Sequence, residues 1–175
     1  MLSFSGSPLD WLPLHAAAYN GDTAAVTQLL SEGHAVDERM RGGFTPLLWA
    51  CLRAQVCDMI PTIDALIAAG ADIEAATSDA SCLMLAAQSG SEQTVKALVR
   101  YGANVDRAVD GVTPLMVAAT GGQFDVVKAL IEAGASPHLQ INGVSAEEYA
   151  LYHGHDEIAE FILQIPVSPF PTPKQ

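Results

Sequence analysis

The chain has few basic residues, few cysteines and few aromatic residues, and these shortages exclude several classes of protein. Its 175 residues include 20 acidic and 8 basic side chains, a net charge of −12. Because clustered Lys and Arg side chains bind phosphate groups, this balance argues against nucleic acids and anionic membranes as partners and favours a basic protein. The three cysteines, Cys51, Cys57 and Cys82, form no C-x-x-C pair, which argues against a disulfide framework and a zinc knuckle. We interpret them as buried thiols.

The sequence also lacks a long apolar run and a secretory signal. No stretch approaches the roughly 18 apolar residues that a membrane span needs. The N-terminus, Met-Leu-Ser-Phe-Ser-Gly, has neither the positive charge nor the apolar segment of a signal peptide. Half of the residues are hydrophobic, which is enough for a folded domain, and we expect a cytoplasmic protein.

What the chain does have is an internal repeat. Pro13 and Pro46 stand 33 residues apart within the same phrase. That phrase begins at Leu12, Thr45, Ser81, Thr113 and Ser145. A second phrase with the pattern Val/Ile-x-x-Leu-Leu/Ile/Val-x-x-Gly follows in each of the first four units and ends at Gly33, Gly70, Gly102 and Gly134. Such a period predicts a stack of five similar units, at about residues 10–39, 40–75, 76–107, 108–139 and 140–165.

Each unit is predicted to be a pair of helices followed by an extended turn. A threonine such as Thr45 can cap a free amide, and the proline after it loses no hydrogen bond at the first helical position. Alanines in the first helix allow close packing, whereas the Val/Leu spacing of the second helix buries a wider apolar face. The final glycine ends the second helix in a left-handed conformation. No unit can bury its apolar face alone, so the units must stack.

Irregular spacing predicts where loops differ between units. Thr45 and Gly70 are 25 residues apart, against 21 over the equivalent span elsewhere, which places four extra residues around Ala54 to Ile60. The span from Gly33 to Thr45 is 12 residues, against 11 for the later turns.

The C-terminal end is predicted to close the stack. In the last helix, Ile158, Phe161 and Ile162 should face the stack, and a polar face should meet water; that face consists of Asp156, Glu157, Glu160 and Gln164. Residues 166–175 hold four prolines, so we expect an extended tail there. The tail is open to three interpretations: a disordered end, a P-x-x-P ligand for an SH3-type groove, or a segment that folds back through Val167 and Phe170.

The sequence resembles the ankyrin repeat family in its repeated phrases, which are Gly43-x-Thr45-Pro46-Leu47, Gly111-x-Thr113-Pro114-Leu115, Gly70-Ala71-Asp72 and Gly102-Ala103-Asn104. The resemblance covers about residues 10 to 164 and implies an all-α solenoid of stacked helix-turn-helix units with hairpin connections, a single domain over residues 1–165. Three helix starts depart from the pattern, at Leu12, Cys82 and Ala146.

The resemblance also implies a binding protein that holds partners with its turn tips and the inner face of its first helices. On or beside the turns, this selects Trp11, Arg39, Arg41, Phe44, Thr77, Ser78, Val109, Asp110, Val112, Ile141 and Asn142. On the first helices it selects Tyr19, Asn20, Leu52, Arg53, Gln88, Ser89, Thr120, Tyr152 and His153. Aromatic and arginine side chains favour a binding surface. The alternative is that Trp11, Phe44 and Tyr152 only cover the edges of units.

Acidic residues are concentrated at both ends of the chain. Residues 1–38 hold five acids and no base, and residues 133–173 hold another five and no base. Two acidic ends would steer a basic partner onto the concave face, with a rate that salt reduces. The alternative is that the acids only keep an apolar chain soluble.

An enzyme is not expected, because the sequence has no Gly-rich phosphate loop, nucleophile elbow or H-E-x-x-H motif. His153 and His155 flank a tight turn, so their side chains should diverge and bind no metal. His15 matches the family's helix histidine, which implies local hydrogen bonds within the repeat. No cofactor is expected.

These observations favour a protein that binds, and inhibits, a basic partner, as an inhibitor or immunity-type protein does. The alternative is an adaptor that holds one protein on the repeats and another on the tail.

Overall fold

A computed structural model of the chain describes residues 11–40, 42–56 and 58–166. Within these ranges the chain forms short helices, and the nearest features to strands are isolated bridge pairs. None of these helices is long and apolar enough to span a bilayer. The helices are α1 (Pro13–Asn20), α2 (Thr23–Ser31), α3 (Pro46–Leu52), α4 (Ile60–Ala68), α5 (Cys82–Ser89), α6 (Glu92–Arg100), α7 (Pro114–Thr120), α8 (Phe124–Glu132), α9 (Ala146–Tyr152) and α10 (Asp156–Leu163). The predicted all-α repeat solenoid is confirmed.

The first helices start where the hydroxyl residues predicted them. The side chains of Thr45, Ser81, Thr113 and Ser145 each accept a hydrogen bond from the backbone N–H three residues later, at 3.2 to 3.3 Å. Such caps satisfy amide groups that the helix itself leaves without partners. Leu12 provides no side-chain cap, as its apolar side chain predicts.

The second helices end at the predicted glycines. Gly33, Gly70, Gly102 and Gly134 have φ between 90° and 94°, a region that glycine adopts without strain. The N–H of the next residue then donates to the carbonyl five residues back, as Ala103 does to Leu98 at 3.0 Å. These two features define a Schellman end, which turns the chain out of the helix and towards the next repeat.

The first helices α1, α3, α5, α7 and α9 pack side by side in one row, and each packs against the second helix of its own repeat. Two positions in the first helices lie against neighbouring helices. The leucine position is buried in four repeats, at Leu14, Leu47, Leu83 and Leu115. The small-residue position is 0% exposed in the same four repeats, at Ala18, Cys51, Ala87 and Ala119. Small side chains there let neighbouring first helices approach closely.

The two irregular spacings appear as loops. The extra residues of the second repeat lie between α3 and α4, where the Asp58 carboxylate accepts a hydrogen bond from the Ile60 N–H at 3.1 Å and the Met59 side chain is buried. The predicted loop ended at Ile60, whereas α4 begins there. In the first turn the Met40 N–H donates to the Phe44 carbonyl, one residue farther than the Val109–Val112 pair of a later turn.

A carboxylate near the end of each of the first three repeats accepts a hydrogen bond from the next repeat, a feature that was not predicted from the sequence. Asp37 accepts a hydrogen bond from the Asp72 N–H at 3.0 Å, Glu74 from Asn104 at 2.8 Å, and Asp106 from Ser136 at 2.8 Å. Each acid stands four residues after a helix-ending glycine, a spacing that was readable in the sequence. Charge-assisted bonds of this kind fix the register of one repeat on the next.

Candidate functional site

The later turns end in two-residue hairpins whose tips project from the stack. Val109 and Val112 exchange backbone hydrogen bonds at 3.0 Å, and Ile141 and Val144 pair in the same way. The tip residues Asp110 and Asn142 have φ of 49° and 55°, and each precedes a glycine that also has positive φ. Two consecutive positive φ values are typical of the type I′ turn, for which Asp-Gly and Asn-Gly are the preferred sequences.

Neighbouring turns touch one another. A Cβ placed on Gly111 would lie 3.0 Å from the Asn142 amide nitrogen, so the third and fourth turns are in close contact. Arg39 Nη1 donates to the Gly43 and Ala76 carbonyls, both at 2.9 Å, and so joins the first turn to the second. We call this series of turns the tip row; it comprises residues 39–40, 42–44, 77–80, 109–112 and 141–144. Arg41 lies outside the described residues.

The second turn is held by its own threonine. Thr77 Oγ1 accepts hydrogen bonds from the N–H groups of Asp79 and Ala80, at 3.2 and 3.1 Å. Ser78, next to it, is exposed. Of the two residues predicted to contact a partner here, Thr77 stabilises the turn and Ser78 presents its hydroxyl to solvent.

Four aromatic rings form a cluster between the first two repeats. The ring centroids of Trp11, Tyr19 and Phe44 lie within 4.5 to 5.5 Å of the Trp49 ring, and the Arg53 guanidinium lies 4.5 Å above Tyr19. Phe44 is stacked on Trp49 and only 8% exposed, which agrees with the alternative that this ring covers the edge of a unit; its contact with a partner stays a prediction. Replacing Trp11 and Phe44 would therefore disturb packing as well as any contact with a partner. Trp49 was missed, although its place in an almost wholly apolar helix was a signal of burial.

The ends of the first helices differ in exposure. Asn20 and Gln88 are exposed, while Leu52 and Thr120 are partly buried. Ser89 is only 7% exposed and its hydroxyl donates to the Ala86 carbonyl at 2.8 Å; its contact with a partner stays a prediction. The Thr120 hydroxyl bonds inward in the same way, to the Met116 carbonyl.

The first helix of the last repeat, α9, ends at an exposed aromatic side chain. Tyr152 is 86% exposed and packs edge-on against His153, with ring centroids 5.2 Å apart. His153 Nδ1 lies 2.9 Å from the Tyr149 carbonyl, whereas His155 Nε2 lies 3.1 Å from the Thr120 carbonyl of the preceding repeat. The two imidazoles thus diverge, as predicted. Within the described ranges no group of three or more His, Cys, Asp or Glu side chains is arranged to hold a metal ion.

Three titratable groups, His15, Cys51 and Cys82, are buried in the interior of the stack. His15 is fully buried, and its Nε2 lies 2.8 Å from the Glu38 carbonyl and 3.2 Å from the Phe44 carbonyl, so Nε2 carries the proton. Burial lowers the pKa of His15 despite these bonds, which favours the neutral ring. Cys51 and Cys82 are buried thiols, as predicted, and a hydrogen bond with Cys51 together with burial raises the pKa of Cys82. Cys57 lies outside the described residues.

Several basic side chains are directed at the chain itself. Arg39 binds two carbonyls, Arg53 covers Tyr19, and Arg107 binds the Glu74 carboxylate at 2.8 Å. Exposed acids remain at both ends. Glu38 lies near the first turn, and the last repeat carries exposed acids at Glu148, Asp156, Glu157 and Glu160. These acids add negative charge to both ends of the stack.

Comparison with known proteins supports the same repeat pattern. The family model described as "Ankyrin repeats (3 copies)" matches residues 2–77, 53–141 and 83–169. Inversin from Canis lupus familiaris is 40% identical over 92 residues, and Inversin from Homo sapiens is 39% identical over 92 residues. Each alignment covers 51% of this chain and 8% of the relative, so the chain spans only a small part of these proteins. Residues 167–175, which include most of the predicted tail, lie outside the described residues.

Proposed function

Since the chain belongs to the ankyrin repeat family and is a protein–protein interaction module, we propose that it binds a basic protein through the tip row and the exposed ends of its first helices. The family is one of non-enzymatic modules. In this proposal the partner is a cytoplasmic protein whose functional surface is covered by the stack, so that binding inhibits it.

The observation that carries the proposal is the excess of acidic side chains. The chain has 20 acidic and 8 basic residues, and Glu38, Glu148, Asp156, Glu157 and Glu160 are exposed in the first and last repeats. A basic surface would meet negative charge at both ends of the stack, which favours both its rate of association and its orientation.

The geometry joins the turns in two pairs. The third and fourth turns touch at Gly111 and Asn142, and the first and second are joined through Arg39, so one partner surface could span two repeats. The partly exposed rings of Trp11 and Tyr19 lie at one end and Tyr152 at the other. Aromatic side chains of this kind supply large contact areas at low entropy cost.

The test compares two arginine substitutions that add the same charge at different places. Gln88 is exposed at the end of first helix α5, whereas Gln93 is exposed on second helix α6. The full chain is used to capture partners from native lysate, and the affinity of each captured protein is then measured at about 50 and about 300 mM salt.

We expect basic proteins to be captured, with affinity that falls as salt rises. Gln88→Arg should weaken binding by about tenfold, and Gln93→Arg by less than about twofold. An enzyme among the captured proteins should lose activity on mixing. Capture of acidic proteins alone, or equal effects of the two substitutions, would contradict the proposal.

A further inference from the structure

The last repeat departs from the other four at the two first-helix positions that lie against neighbouring helices. At the leucine position, which is buried in four repeats, the fifth has Glu147. At the small-residue position, which is 0% exposed in four repeats, the fifth has Leu151. A charged residue in the first case is expected where, within the described residues, no further repeat packs on the helix. At the small-residue position such an uncovered helix would favour a polar side chain, whereas Leu151 is a larger apolar one.

Two leucines of the last repeat are exposed, one on each of its helices. Leu151 is 50% exposed, against 0% for its equivalent Ala119 in the fourth repeat. Leu163 is 57% exposed, whereas its equivalent Ile131 is partly buried. We call Glu147, Leu151 and Leu163 the end face. Tyr152 is the next residue after Leu151 and is more exposed still, so apolar surface continues onto the end of α9.

The two helices that carry the end face bear charge of one sign. Residues 146–163 contain five acids and no Lys or Arg, and Glu147 lies one turn before Leu151 while Glu160 lies one turn before Leu163. Apolar contact area within an acidic surround is complementary to a segment that has apolar residues on one face and Lys or Arg beside them.

The same charge argues against a second copy as the occupant. A copy stacked end to end would bring its first repeat against the end face, and residues 11–38 carry Asp22, Glu32, Asp37 and Glu38 without a base. Two copies joined through their end faces would oppose acids to acids. Like charges held close together without counterions disfavour both arrangements.

We propose that the end face binds a cationic amphipathic protein segment, whose apolar side chains cover Leu151 and Leu163 and whose basic side chains pair with Glu147 and the acids around it. This site is separate from the tip row, so the chain would hold a partner at its end as well as along its turns. It does not depend on the function proposed above.

The test uses a synthetic helical peptide of about 18 residues, or about five turns, with Leu on one face and Lys on the other. Two control peptides are a Leu/Glu version and a scrambled Leu/Lys version that has no apolar face. Each is titrated into the full chain, with the methyl NMR signals of Leu151 and Leu163 as the reporters of position and affinity.

The matched variants are the double variant Leu151→Ala/Leu163→Ala and Val56→Ala. Val56 is 65% exposed in the loop between α3 and α4, away from the last repeat, and so controls for the loss of an exposed apolar side chain. Because Leu151→Ala introduces a residue already present at this position in three other repeats, the double variant should fold with an unchanged melting temperature.

We expect the Leu/Lys peptide to shift the methyl signals of Leu151 and Leu163, and the double variant to bind it about tenfold more weakly. Val56→Ala and Gln88→Arg should change its affinity by less than about twofold, which separates this site from the tip row. Equal binding of either control peptide, or an unchanged affinity of the double variant, would overturn the proposal. So would a dimer that the double variant abolishes, or contacts from residues 167–175 to the end face in the free chain.

Discussion

The interior of the stack and its last repeat follow the same sequence pattern but bury different parts of it. Helix α7 and helix α9 begin at the same kind of hydroxyl cap and have the same length. Yet Ala119 is fully buried whereas its equivalent Leu151 is half exposed. The comparison shows that the backbone of a repeat is set by its own residues, while burial is set by the repeat stacked beyond it.

The largest expected effect is a difference in the free energy of unfolding between the interior and the last repeat. Leu98→Ala removes a fully buried side chain from α6 and should reduce the free energy of unfolding by about 2 to 5 kcal/mol, through lost transfer energy and a cavity. Leu163→Ala in α10 is the matched substitution at a 57% exposed side chain, and should cost within about 0.5 kcal/mol. Urea unfolding of the two variants measures the difference. Similar losses would mean that the last repeat is buried in solution.

The second prediction concerns the backbone alone, where the interior and the last repeat are expected to behave alike. Gly102 in the interior and Gly154 in the last repeat have φ of 93° and 78°, and a Cβ at either would have no atom within 4 Å. Alanine at each should therefore cost the same, about 1 to 2 kcal/mol, from left-handed strain. Gly121, with φ of −83°, is the control for left-handed strain and should cost less once the Gln123 side chain, whose Cγ would lie 3.3 Å from the new Cβ, has shifted. A much smaller loss at Gly154 would show that the last repeat relaxes its backbone.

The third prediction concerns the pH dependence of stability in the first repeat. Because burial lowers the pKa of His15 in the folded chain, the unfolded chain takes up the proton more readily below its ordinary value of about 6.5. The stability that neutral His15 contributes is thus present above about pH 6.5 and is lost as the pH falls towards the folded-state pKa.

His15→Met introduces the residue that the third and fourth repeats carry at this position and should flatten that dependence. Urea unfolding between about pH 7.5 and 5.5 measures it. His153→Gln, at an exposed ring in the last repeat, is the control for the loss of one histidine. A slope that His15→Met leaves unchanged would assign the dependence to other groups.

The fold could be predicted from the sequence because its signals are local and recur. A hydroxyl before a helix, a glycine after it and an apolar spacing within it were readable at each unit, and the caps at Thr45 and Thr113 and the left-handed Gly70 and Gly102 are where the repeat placed them. The four extra residues of the second repeat were also located from spacing alone.

The candidate site was only partly predictable, because exposure depends on neighbours in space. Phe44 and Ser89 were selected by their places in the repeat, but one stacks on Trp49 and the other bonds to its own helix. Residues of the same repeat position need not share an environment when the adjoining repeats carry different side chains.

By itself the sequence determined the repeat, the helix boundaries, the left-handed helix ends and the negative charge, since each follows from residue type and spacing along the chain. Only the tertiary structure decided which side chains remain accessible. The aromatic cluster buries Phe44, Arg39 bonds to two carbonyl groups of the chain, and Leu151 stays half exposed on α9. The physical reason is that burial and pairing are properties of two surfaces brought together, and a repeated phrase describes only one of them.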